Sequence, residues 1–164
     1  MQTLFVSSTF KDMHYERDAI RDMALPKINT EAKPYGQEVS VCDLRWGINT
    51  LDLDGDEGSK KVLDVCLDQI DRCSPPMIVL LGNRYGYIPD NSIILNAARI
   101  KQLELEQLEI SVTALEIEYG FLSRKNKPRV LVYFRETVNA PDGYQSEDTD
   151  HAVKLAELKA RILK

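Results

Sequence analysis

Apolar, β-branched runs recur along this chain, each ending in polar turn residues and followed by a stretch with helical spacing. Leu4-Phe5-Val6 breaks into Ser7-Ser8-Thr9 and a charged amphipathic segment. That pattern predicts a buried strand over residues 3–7, a polar turn and a helix over 12–32 kinked at Pro26. Val39-Ser40-Val41-Cys42-Asp43-Leu44 predicts a second strand. An acidic loop at 52–58 leads to a helix over 60–73 capped by Ser59. In that helix Val62, Leu63, Cys66, Leu67, Ile70 and Cys73 make one apolar stripe. Ser74-Pro75-Pro76 ends it, and Met77-Ile78-Val79-Leu80-Leu81 is apolar on both faces, as a central parallel strand should be. A turn-rich loop at 82–89, a charged helix over 96–108 and a break at Ser111-Val112-Thr113 follow. A helix over 114–123, a strand over 130–134 and a last helix over 149–163 complete the pattern.

Strands alternating with helices predict an α/β fold, with a parallel sheet of four to five strands and helices on both faces. The pattern stops within a helix where a fifth strand is expected. The 164 residues therefore read as one domain, 1–164, of a longer multidomain protein. A net charge of −5 argues against a general nucleic-acid binder, so no direct nucleic-acid partner is expected. No apolar run approaches the ~20 residues of a membrane span, and no leader is expected ahead of the first strand. Cys42, Cys66 and Cys73, odd in number and without paired spacing, point to a reducing, cytoplasmic setting. Asp52, Asp54 and Asp56 fail the ligand spacing of a calcium loop, since Gly58 stands at the seventh position and Leu63 at the twelfth. His14 and His151 are the only histidines, and no metal site is expected. Neither G-x-x-x-x-G-K-[ST] nor G-x-G-x-x-G occurs.

Parallel strands deliver their carboxyl ends to one edge, where open α/β sheets bind ligands. That edge collects Ser7, Ser8 and Thr9 from the first loop, and Asp43, Arg45, Trp46 and Gly47 from the second. The third contributes Gly82, Asn83, Arg84 and Tyr85, and the fourth Arg135 and Glu136. Arginine forks and aromatic faces suit an anionic, ring-bearing ligand such as a nucleotide. The alternative is that Arg45 and Arg84 pair with acidic neighbours and brace the loops.

Phe5-Val6-Ser7-Ser8-Thr9-Phe10-Lys11-Asp12-Met13 with Glu16-Arg17-Asp18 resembles the opening of a TIR-like family found at the N-terminus of NACHT-type (STAND) signalling ATPases. Asp43-Leu44-Arg45-Trp46-Gly47-Ile48, the segment 66–73, the segment 81–89 and the segment 111–120 resemble its later blocks, in order. The resemblance implies a flavodoxin-like, TIR-type fold at the head of a switch protein that self-associates and signals in defence or stress. Relatives of that type either cleave NAD, as a substrate and not a bound cofactor, or dock to one another. Cleavers use a glutamate, which Glu116 matches best and Glu118 second. One carboxylate is chemically adequate: the nicotinamide leaves neutral, and only the oxocarbenium-like ribose needs stabilising. Trp46 or Tyr85 would hold the pyridinium, and the arginines the pyrophosphate. Against this, Thr113-x-x-Glu116 also reads as a capping box, a role that needs no ligand, and Glu118 reads as a solvated helix position. The inserted helix over 96–108 is expected to cover the pocket or displace the carboxylate.

Overall fold

Gln2–Ser8 (β1), Val39–Cys42 (β2), Met77–Leu81 (β3) and Val130–Phe134 (β4) form one sheet in the computed structural model, which describes residues 1–44, 55–73, 75–137, 141, 143–146 and 148–164. Every pairing is parallel and the strand order is β2-β1-β3-β4. Phe5 lies opposite Cys42, Ser8 opposite Leu80, and Leu81 opposite Phe134. The helices are His14–Ala19 (α1), Leu25–Ala32 (α2), Gly55–Arg72 (α3), Asn91–Lys101 (α4), Val112–Ile117 (α5) and Thr149–Ile162 (α6). The expected α/β architecture is present, and its strand order is that of flavodoxin-like sheets. Because the chain steps from β1 to β2 and then returns past β1 to β3, the order reverses between β1 and β3. A crevice forms at such a switch point.

Alternation along β1 separates two cores. Leu4 and Val6 pack with Met13, Ile78 and Leu80 on the face covered by α1. Phe5 packs with Leu63, Leu67, Val79, Leu115 and Ile117 on the face covered by α3 and α5. β3 is buried along its whole length, as its unbroken apolar run predicts. Each fully buried Leu, Ile, Val or Phe is worth roughly 1.5–3 kcal/mol. The same parity puts Ser7 on the α5 face and Ser8 on the α1 face. No helix among the described residues is long and apolar enough to cross a membrane.

Several boundaries differ from the pattern-based expectation, each for a local reason. The helix over 12–32 is α1, a π-turn at Ile20–Ala24, and α2. Pro26 sits at the start of α2, directly after the π-turn, which is one of the irregularities that accommodate a proline within a continuous helix. Ser59 does not cap α3. It lies inside that helix, and its hydroxyl meets Tyr87 Oη at 3.0 Å. The helix expected over 96–108 is α4, which starts earlier because Asp90 accepts a hydrogen bond from the Ser92 N–H at 2.8 Å. α4 ends at Gln102, whose φ of 53° reverses the chain. Residues 103–110 follow as irregular chain, with Leu103, Leu105 and Leu108 half-buried and Ile110 buried against the α5-side core. The helix expected over 114–123 begins at Val112 and relaxes into a π-turn at Glu118–Leu122.

Gly82, immediately after β3, marks how tightly the sheet's carboxyl edge is packed. A Cβ there would collide with the Asp12 carboxylate and come within 2.9 Å of both Arg135 Nη2 and Met13 Cε. The neighbours are a buried carboxylate and its cation, which cannot step aside as a free side-chain end would. Gly82→Ala is expected to destabilise the domain by about 1–3 kcal/mol in urea unfolding. A midpoint equal to wild type would show that the Asp12–Arg135 contact gives way freely.

Candidate functional site

Ser7 and Glu116, 109 residues apart, meet between β1 and α5: Ser7 Oγ donates to Glu116 Oε2 at 2.6 Å. Ser7 is fully buried and Glu116 is 6% exposed. The Cys66 thiol, from α3, also favours the ionised form of this carboxyl group. Burial pushes the Glu116 carboxyl up to about 7, against the opposing pull of the Ser7 hydroxyl, the Cys66 thiol and the positive charge of Arg17.

The capping-box reading of Glu116 is overturned. Ser111 is the cap of α5, accepting from the Ala114 N–H at 3.2 Å, so the helix starts before Thr113 and Glu116 turns inward to Ser7. The solvated reading of Glu118 fails as well. It is 8% exposed, accepts from Ser123 Oγ at 2.6 Å and pairs with Arg161 at 2.6 Å.

Arg17, on α1, is the residue that site reasoning passed over. It is 2% exposed and reaches beneath the exits of β1 and β2. Nε donates to Ser8 Oγ at 2.6 Å, and Nη1 to Asp43 Oδ1 at 2.6 Å. Nη2 donates to the carbonyls of Val6 at 3.1 Å and Ser8 at 3.2 Å. The guanidinium also lies 4.9 Å from the centre of the Phe10 ring. A cavity of about 440 Å³ borders it, lined by Val6, Val41, Asp43 and Gln69 among others. The string Glu16-Arg17-Asp18 held the signal, but an arginine between two acids on a helix reads as solvated. Only the adjacency of β1 and β2 shows that it points inward.

A second buried charge holds the β3 and β4 exits. Asp12 is fully buried and accepts from the Thr9 hydroxyl, the Asn83 N–H at 3.3 Å and Arg135 Nη2 at 3.3 Å. Arg135 Nη1 pairs with Glu16 at 2.7 Å. Lys159, from α6, donates to the Gly82 carbonyl at 2.7 Å. The other expected rim residues are placed separately. Arg84 Nη1 donates to the carbonyls of Gly143 at 3.0 Å and Gln145 at 3.1 Å. Tyr85 is buried under α6, its ring centre 5.9 Å from that of His151. It shares a cavity wall with Ala114, which stands about 200° around α5 from Glu116. Arg45 and Trp46 lie outside the described residues. The structure thus joins Ser7 to Glu116, and Ser8 to Asp43 through Arg17, and turns Arg84 and Tyr85 elsewhere. No cluster of metal-ligating side chains occurs among the described residues.

Glu116 should write itself into the stability profile. Its folded pKa of about 7 exceeds the ordinary 4.5, so the folded state binds this proton more tightly than the unfolded state. Its contribution is greatest below pH ~4.5 and falls by up to about 3 kcal/mol as pH rises through ~7. Glu116→Gln keeps the shape and an acceptor for Ser7 and removes the titration. The variant is expected to flatten the decline between pH 5 and 8 in chemical denaturation. Parallel pH profiles for wild type and variant would refute the buried, protonated carboxyl.

Telomerase protein component 1 of Mus musculus is 32% identical over 167 residues, covering 95% of this chain and 6% of that protein. A TPR repeat-containing protein of Dictyostelium discoideum is 27% identical over 179 residues, covering 98% and 10%. NACHT and WD repeat domain-containing protein 2 of Mus musculus is 34% identical over 118 residues, covering 65% and 7%. The chain spans about 6–10% of the length of these relatives. No solved structure matches it significantly. A family model matches residues 3–164, and the chain belongs to that family, described as Domain of unknown function (DUF4062) and shared with NACHT-type proteins.

Proposed function

We propose that this domain is the TIR-like signalling module of a cytoplasmic NACHT-type protein, and that its output is cleavage of NAD once the full protein self-associates. The observation that carries this reading is Glu116, a buried carboxyl raised to about 7 beside the sheet's carboxyl edge and free of the capping duty its sequence suggested. A buried carboxyl whose pKa is shifted by desolvation and specific neighbours is a functional-site candidate. In the reaction the bond between nicotinamide and ribose C1′ breaks and its electron pair leaves with neutral nicotinamide. Water adds to C1′ and gives up a proton, so the products are nicotinamide, ADP-ribose and H⁺. The ionised Glu116 would stabilise positive charge developing on the ribose, with Ser7 positioning it. Ser8, Asp43, Arg45 and Trp46 remain the proposed nucleotide contacts, whereas Arg84, on the Gly143 and Gln145 carbonyls, and Tyr85, buried under α6, are turned away from Glu116. Defence or stress is the proposed setting.

A docking role without chemistry is the second reading. What favours it is the engagement of the rim within the fold, with Arg84 on loop carbonyls and Ser8 and Asp43 on Arg17.

Nicotinamide release from NAD by forced oligomers separates the two. Oligomeric wild type is expected to turn over, and faster as pH rises through ~7, because the carboxylate form is the working one. Glu116→Ala and Glu116→Gln should each lose about 10²-fold or more. Silence in oligomers of every form would leave the docking role. Equal rates in all three would remove Glu116 from the mechanism.

A further inference from the structure

The tract from Leu103 to Ile110 has irregular backbone, yet it sorts its side chains by polarity. Leu103, Leu105, Leu108 and Ile110 turn toward the core, while Glu104, Glu106 and Glu109 stand exposed. Beside the glutamates runs a groove bounded by this tract, α5 and α6. It consists of two cavities, of about 480 Å³ and 260 Å³, and Glu106, Gln107, Ile110 and Arg161 line both. The cations of the groove are committed within the fold. Arg161 pairs with Glu118 at 2.6 Å, and Lys154 pairs with Glu109 at 3.0 Å and Asp150 at 2.8 Å. Glu104, Glu106 and Glu157 also line it, and they make no ion pair among the described residues.

The groove reaches Leu122 and Ser123. From there the chain continues into Arg124-Lys125-Asn126-Lys127-Pro128-Arg129, which holds four cations and no acid. Arg124 is held by Asp71 at 3.0 Å. Lys127 donates to the Leu122 carbonyl at 2.7 Å, a neutral acceptor that leaves its charge uncompensated. Lys125 and Arg129 are exposed and make no ion pair among the described residues. An acidic groove and a basic loop therefore adjoin on one surface, and neither neutralises the other. The half-buried Leu105 and Leu122 in the groove wall offer apolar surface to the stems of an incoming lysine or arginine.

Adjoining patches of opposite sign are self-complementary. A two-fold rotation lays the basic loop of each copy on the acidic groove of the other, so the same contact forms twice. We infer that this surface joins two copies of the domain as a symmetric dimer, with Lys125 and Arg129 of one copy facing Glu104 and Glu106 of the other. Exposed ion pairs set register and association rate more than strength, so the contact is weak and salt-sensitive. This deepens the proposed function by giving its self-association a surface, and rests on that reading for the setting in which copies meet. A host protein that clusters its domains would supply the local concentration that a weak contact needs.

Sedimentation equilibrium of the full chain, from roughly 10 μM to 1 mM and at about 50 and 500 mM salt, reads the association. Wild type is expected to reach a dimer and stop, with the dimer at least about tenfold weaker at the higher salt. Glu104→Lys/Glu106→Lys and Lys125→Glu/Arg129→Glu should each abolish it. An equimolar mixture of the two should restore it, because each reversed patch then meets its opposite. If either double variant loses its thermal transition, Glu106→Gln and Lys125→Gln serve, each weakening the dimer by about threefold or more. A monomer at every concentration, a dimer indifferent to salt or to the reversals, or a mixture that stays monomeric overturns the interface. So does mass that keeps growing past the dimer, which marks a head-to-tail contact. Monomeric wild type whose forced oligomers release nicotinamide overturns the interface and leaves the cleavage reading standing. A salt-sensitive dimer restored by mixing, with no nicotinamide released from forced oligomers, supports the interface and removes the cleavage reading.

Discussion

Arg17 carries a permanent charge into the core at 2% exposure, and that burial governs the layout of the carboxyl edge. An arginine does not shed its proton to escape the desolvation cost, so the fold must surround it with acceptors. It does so with the Ser8 hydroxyl, the Asp43 carboxylate and two β1 carbonyls. Breaking such a pair by removing one partner typically costs about 3–5 kcal/mol. The exits of β1 and β2 are thereby fixed to each other and to α1. With Ser8 committed to the α1 side, strand alternation sends Ser7 to the other side, where it meets Glu116. The two neighbouring serines serve opposite charges on opposite faces of one strand.

Asp12 repeats the device at the other half of the edge. It ties the β1 exit to Asn83 beyond β3 and to Arg135 beyond β4. Gly82 is the close approach that makes room for it. Both buried charges come from the turn and helix that follow β1. The segment Thr9 to Arg17 is therefore the hub from which all four strand exits are held.

The strand content was legible because β-branched runs between turn residues have few other outcomes: all four strands lie where the pattern puts them, within two residues at each end. Parallel pairing followed from the alternation with helices. Helix starts were less legible, because more than one side chain can serve as a cap. Ser111 and Thr113 both precede an apolar run, and Thr113 has a glutamate three residues on. What decided between them was Ser7, far away in sequence, which draws Glu116 into the core. The tract from Leu103 to Ile110 misled for a related reason. Its leucines imitate helical spacing, yet they pack as irregular chain once Gln102 has reversed direction. In the site, Ser7 and Glu116 were legible as candidates but not as a pair. Arg17 was hidden because a local window shows its acidic neighbours on α1 and not Asp43 at the exit of β2.

The chemistry of the site turns on a balance at Glu116 that the surroundings hold near neutrality. Burial favours the protonated form, while Ser7, Cys66 and Arg17 favour the carboxylate, and the result is about 7. A group poised this way is sensitive to access. Any rearrangement that brings water or a cation to the carboxyl removes part of the desolvation cost and lowers its pKa, so opening and ionisation reinforce each other. Conversely, a domain that stays closed keeps the group largely protonated under mildly acidic conditions and out of reach. Under the proposed reading, in which the module is silent until its host protein assembles, this coupling would tie exposure of the carboxylate to its charge. The proton lost on opening passes to the water that enters, so the same rearrangement exposes the carboxyl and ionises it.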